Sequence, residues 1–204
     1  MTAATFTLAV IASPQAIDLD EFAPLERVPG VSLLRATARD HVQDADCIVL
    51  PGSADVAADL RWLRRQGLDS AVAQHAQARR PVLGLGGGLQ MLGEALIDPQ
   101  AIEGNGPGLG LLALVSLLET ARPATPAQLT FGRVIGPWAP LSGMTLSAFA
   151  VHQGRSVQHT GMGPARAVAG GGLAWQNDEG NVLGLALRGL FENACAVQAL
   201  FGPF

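Results

Sequence analysis

The sequence predicts an α/β fold, a doubly wound and mostly parallel sheet with helices on both faces. Three observations lead there. Short runs such as Phe6–Ile11 and Val82–Leu85 are apolar on both faces, as strands buried between two layers must be. Between such runs stand segments whose apolar residues recur at helical spacing. Hydrophobic residues make up 49% and charged residues 15%, enough apolar surface to cover a sheet on both sides.

Taken in order, the first strand is Phe6–Ile11, and residues 31–34 and Cys47–Leu50 repeat its signal between turn or acidic residues. Val56, Leu60 and Leu63 mark one helix face, and Leu68, Val72 and Ala76 mark a second. Val82–Leu85 is a further buried strand. It runs into the glycine cluster at 84–88 and then a helix with Leu89, Leu92 and Leu96 at helical spacing. This order of strand, helix and strand is the doubly wound pattern. Residues 107–172 are rich in Gly and Pro, with strand-like runs at 129–135 and 146–151. A last strand at 182–187 leads into a helix from about Asn193, with Ala194, Val197 and Phe201 on one side. No repeat, charge block or long linker divides the 204 residues, so they read as one domain.

Composition excludes several functions. The net charge of -4, with no basic face, argues against nucleic-acid binding. No window approaches the ~20 apolar residues that a membrane helix needs. The most apolar stretch, 109–118, is short and runs into Glu119. No basic residue precedes Arg27, so no secretory leader is expected. Cys47 and Cys195 form neither a disulfide framework nor a metal motif, and a reducing cytoplasm without metal or other cofactor is the simplest expectation. All 13 basic residues are arginine. Without lysine there is neither a Schiff-base catalyst nor the usual P-loop.

The cluster GLGGG at 84–88 has two readings. A dinucleotide fingerprint fails, because Leu89 stands where the third glycine belongs and the cluster is not in the first βα turn. A nucleophile elbow fits better: a sharp strand-to-helix turn that exposes one side chain beside the first N–H groups of a helix.

Residues 81–93, PVLGLGGGLQMLG, carry a resemblance. They are similar to the amidotransferase domain of cobyric acid synthases, with Gly86 where that family has cysteine. LPGS at 50–53, DLRWLRRQGL at 59–68, IDPQAIEG at 97–104, GLGLL at 108–112, VHQGRS at 151–156 and GLFEN at 189–193 follow in family order. AVIASP and DEFAPLE extend the likeness to the start of the chain. The resemblance implies a class I glutamine amidotransferase-like fold. It also places Gly86 at the nucleophile position and Arg188 at the position of the histidine base. Ala54 replaces the family's lysine, Ala150 an acidic residue and Leu89 a tyrosine.

No catalytic residue is therefore expected intact. Glycine cannot form a thioester, and a permanently protonated guanidinium cannot accept a thiol proton. In the family this domain supplies ammonia to an ATP-dependent synthetase domain that amidates a corrinoid. The implied role here is binding, scaffolding or regulation linked to corrinoid (cobalamin) biosynthesis. Its partner is a separate synthetase-type subunit or a second copy of the chain. The competing readings are an amidotransferase-type enzyme and a small-ligand binder.

For the pocket itself, Gly52, Gly87, Gly88, His152 and Arg188 are candidates to hold an anion, Arg188 through its planar fork. The plainer alternative pairs Arg188 with an acid such as Glu192 or turns it to solvent. Gly86 should lie on a tight turn at the carboxyl end of the sheet with Arg188 close by. Cys47 and Cys195 read as small buried hydrophobes, and Glu103 and Glu192 as solvated or capping groups. His41, His75 and His159 read as surface residues.

Overall fold

A computed structural model describes residues 5–159 and 161–202, except the side chain of His152. In chain order the elements are β1 (Phe6–Ile11), β2 (Ala16–Ile17), β3 (Val31–Ala36), β4 (Cys47–Leu50), β5 (Gly52–Ser53), α1 (Val56–Arg65), α2 (Leu68–Gln77) and β6 (Val82–Leu85). They continue with α3 (Gly87–Leu92), β7 (Ala95–Ile97), β8 (Gly106–Pro107), β9 (Val115–Thr130), β10 (Thr145–Val157), β11 (Ala165–Ala169), β12 (Ala174–Asn177), β13 (Val182–Leu185), β14 (Leu187–Arg188) and α4 (Ala194–Phe201). Short 3-10 segments lie at Leu19–Arg27, Arg39–Val42, Gly136–Leu141 and Gly170–Gly172.

The main sheet has seven strands in the order β11-β12-β13-β6-β4-β1-β3. The five from β13 to β3 are parallel, and β11 and β12 add antiparallel strands at one edge. Alternate residues of the parallel strands feed two cores. Ala9, Ile11, Ile48 and Leu50 face α1 and α2 through Val56, Leu60, Leu63, Leu68 and Val72. Leu8, Val10, Cys47, Val49 and Leu83 face Phe22, Trp138, Phe191 and Phe201. That second face carries α4 together with 3-10 turns and the root of the β9–β10 hairpin, whose Leu129 and Leu146 are also buried there.

Two glycines seat α3 on the sheet. Gly84 and Gly184 are register partners on β6 and β13. A Cβ at Gly84 would lie 2.6 Å from the Gly88 carbonyl oxygen, and one at Gly184 would strike the Leu89 side chain. A Cβ at Gly88 would fall on the Leu50 carbonyl. The glycine cluster is thus first a packing requirement, since backbone must touch backbone there.

A second sheet has five strands in the order β14-β10-β9-β7-β8. The sequence pattern does not foresee it. Leu96 was expected on the third helix, but α3 ends at Leu92 because Gly93 takes an extended conformation (φ -64°, ψ 177°). There a side chain would meet the Leu114 carbonyl at 2.8 Å. Residues 95–97 then pair with 115–117 as a parallel strand. The run at 129–135 leaves its strand at Thr130, and the run at 182–187 is split between the two sheets at Ala186. β9 itself contains Pro123 and Pro126, and its middle residues are mostly exposed, so no period-2 alternation marks it. Among the described residues no helix is long and apolar enough to cross a membrane.

Candidate functional site

The site is built where β6 ends. Gly86 adopts φ 53°, ψ -113°, a conformation that L side chains rarely hold, and α3 starts at the next residue. The Gly86 N–H donates to the Leu185 carbonyl at 2.8 Å, and the Leu89 N–H donates to the Gly86 carbonyl at 3.1 Å. This is a strand-turn-helix elbow at the carboxyl end of a parallel strand, as the sequence leads one to expect. A Cβ at Gly86 would point into room, with Val151 Cγ2 at 3.5 Å and the Gly52 Cα at 3.8 Å. Its neighbours have no such room. A Cβ at Gly87 would lie 2.9 Å from the Ser53 nitrogen.

The loop facing the elbow is held by a residue that sequence reasoning missed. Asp59 is fully buried on α1. It accepts from Ser13 Oγ and Ser53 Oγ, each at 2.7 Å, and from the Gln15 N–H at 3.0 Å. One carboxylate thereby ties the loop after β1 to the Gly52–Ser53 loop. The signal was present as a lone acid within the apolar spacing of Val56, Leu60 and Leu63.

Arg188 sits on β14 opposite Phe149. Its guanidinium carbon lies 5.5 Å from the Phe149 ring centroid, within cation–π range. Its Nη1 donates to Asp18 Oδ1, while its buried Nε has no protein partner. The acid is therefore Asp18, from far along the chain, and Glu192 instead approaches Gly189: a Cβ at Gly189 would lie 3.5 Å from Glu192 Oε2. Asp18 in turn borders the elbow loop, with its Oδ2 at 3.5 Å from where a Gly52 Cβ would stand. The structure thus brings Gly52, Gly86, Gly87 and Gly88 together and links Arg188 to them through Asp18. His152 lies on β10 between two register irregularities, and its side chain is outside the described residues.

Beneath this group lies Glu21, 5% exposed. Its Oε2 accepts from the Gly189 N–H at 3.3 Å, and its Oε1 has no protein partner. Burial pushes its pKa up to about 7. The Gly189 N–H opposes that rise, the Asp18 and Glu192 carboxylates reinforce it, and Arg188 opposes it.

Other candidate residues fall elsewhere. His75, expected at the surface, is buried, with its Nε2 3.1 Å from the Pro81 carbonyl oxygen. Burial first, and then Arg80, lowers its pKa to about 4. It faces inward because it occupies the same stripe of α2 as Leu68 and Val72. Cys47 is buried and its thiol pushed up by burial, but Cys195 is exposed on α4, whose Ala196 and Phe201 take the inner face. His41 and His159 are exposed. Glu103 is a capping group, accepting from the Val56 N–H at 2.7 Å and the Ala57 N–H at 3.3 Å at the start of α1.

Residues 7–195 match the CobB/CobQ-like glutamine amidotransferase domain. The chain belongs to this family. Its relatives include the cobyric acid synthase of Polaromonas sp. (strain JS666 / ATCC BAA-500), 51% identical over 199 residues, covering 96% of this chain and 39% of the relative. That of Acidovorax sp. (strain JS42) is 52% identical over 198 residues, covering 96% and 40%. The chain thus spans about two fifths of the length of these curated relatives. Among solved structures, PurLQS from Thermotoga maritima aligns at TM-score 0.70 with 19% identity, over 98% of this chain and 99% of that one. A glutamine amidotransferase crystal structure aligns at TM-score 0.68 with 17% identity, over 95% and 96%. In this amidotransferase-like domain the strand-turn-helix turns at a residue without a side chain.

Proposed function

We propose that this chain is a catalytically degenerate, cobyric-acid-synthase-like amidotransferase domain that no longer hydrolyses glutamine. The observation that carries the reading is the elbow itself. At the family's nucleophile position stands Gly86, so no thioester forms there. At the position of the base stands Arg188, a group that accepts no proton and is already paired with Asp18. Neither cysteine substitutes, since Cys47 is buried on β4 in the core and Cys195 is exposed on α4. The retained fold then serves binding, scaffolding or regulation in the cytoplasm, in contact with a separate synthetase-type subunit or a second copy. The link to corrinoid amidation rests on the relatives named cobyric acid synthase.

Purified protein incubated with glutamine is expected to release no glutamate above a buffer control. An electrophilic glutamine analogue should label neither cysteine. Turnover accompanied by labelling at Cys47 or Cys195 would sink the reading. Gly86→Cys alone should remain inactive, because Arg188 stands at the position of the base and cannot take the thiol proton.

A further inference from the structure

The contacts around Gly86 form a closed circuit. The open direction at Gly86 meets Val151 and Gly52. Gly52 borders Asp18, Asp18 pairs with Arg188, and the Arg188 guanidinium rests on Phe149. Phe149 stands two residues before Val151 on β10, which closes the ring. A side chain at position 86 would therefore meet Val151 and the Gly52 backbone, with the Asp18–Arg188 pair one contact beyond them.

Asp18 is diverted to make that pair. It stands at the N-cap of the 3-10 segment Leu19–Arg27, where aspartate ordinarily accepts from the first N–H groups, yet its carboxylate makes no cap bond. Its backbone is left-handed (φ 56°, ψ 30°), an uncommon conformation for a residue with a Cβ. The strap of residues 12–18 that carries it is pinned at one end by Asp59 through Ser13 and Gln15. At the other end it forms a ribbon of only two residues a side, Ala16–Ile17 with Gly52–Ser53. Arg188 fastens that end.

We propose that the Asp18–Arg188 pair is a latch that holds the strap of residues 12–18 against the elbow, so that the buried position 86 is reached from solvent only when the pair parts. The latch stands whether or not the chain hydrolyses glutamine.

A thiol placed at the elbow reads it out. In a Cys195→Ser background, Gly86→Cys is alkylated with a maleimide, and the modified site is located by peptide mass spectrometry. Asp18→Asn and Arg188→Ala, each added to this reporter, should both speed alkylation roughly tenfold. Both directions are needed because charge alone acts oppositely in the two variants. Removing Asp18 makes the thiol more acidic and faster, whereas removing Arg188 makes it less acidic and slower. Acceleration by Asp18→Asn with slowing by Arg188→Ala, or no change in either, overturns the latch. Should Gly86→Cys fail to fold, amide hydrogen exchange on the chain with its natural Gly86 decides. Both variants should speed exchange in peptides covering residues 12–18 and 52–54, and unchanged exchange overturns the proposal.

Discussion

At the scale of single residues, the glycines of the elbow separate into two physical classes. Gly86 is needed for its backbone angles, while Gly84, Gly87 and Gly88 are needed for closeness. The classes predict different costs. Gly86→Ala introduces strain but no collision, since its Cβ would stand 3.5 Å from the nearest atom, and it should cost about 1–3 kcal/mol. Gly88→Ala drives a Cβ onto the Leu50 carbonyl, which cannot yield without lifting α3 from the sheet, and it should cost more than Gly86→Ala. Urea unfolding of the two variants against the parent checks the ranking, and the reverse order would refute the division. The elbow was legible in the sequence because a short apolar strand runs straight into the glycine cluster. The fate of Arg188 was not. Its partner Asp18 lies 170 residues away, at a left-handed position just before a 3-10 segment that leaves no periodic trace.

At the scale of elements, the parallel strands were readable because burial on both faces forces continuous apolar runs. The second sheet was not readable, because β9 is solvated over its middle and interrupted by proline. The joints between elements fall to carboxylates. Asp59 joins α1 to two loops, and Glu103 caps the same helix from a loop organised by Asp98. Asp98 accepts from the Glu103 and Gly104 N–H groups at 2.8 and 2.7 Å, and the Gly104 bond leads the causes that lower its pKa. Asp59→Ala should cost about 3 kcal/mol, since it takes the acceptor from two buried hydroxyls. The loss should appear in calorimetry together with faster hydrogen exchange at Ser13–Gln15. A near-neutral effect would mean that those loops are held by other contacts.

At the scale of the whole molecule, Glu21 couples folding to pH. Its folded pKa of about 7 lies above its ordinary value of 4.5, so the folded state favours the protonated form. The associated stability is present below about pH 4.5 and is lost as pH rises through 7. A shift of that size corresponds to roughly 3 kcal/mol. Glu21→Gln should therefore be more stable than the parent above pH 7, and the advantage should shrink towards pH 4.5. Paired unfolding curves across that range test it, and a pH-independent difference would contradict it. His75 acts in the opposite sense. Its lowered pKa contributes stability above about 6.5 that is lost as pH falls towards 4, so the comparison must be made between variants rather than read from one curve. The β9–β10 hairpin bears on a different hazard. Among the described strands β7 pairs with β9 only over Val115–Leu117, so the rest of β9 is the outermost strand of its sheet. A long outer strand is a template on which other chains can add. Pro123 and Pro126 offer no N–H to such a newcomer and obstruct its approach, which guards the protein against edge-to-edge aggregation when it is crowded.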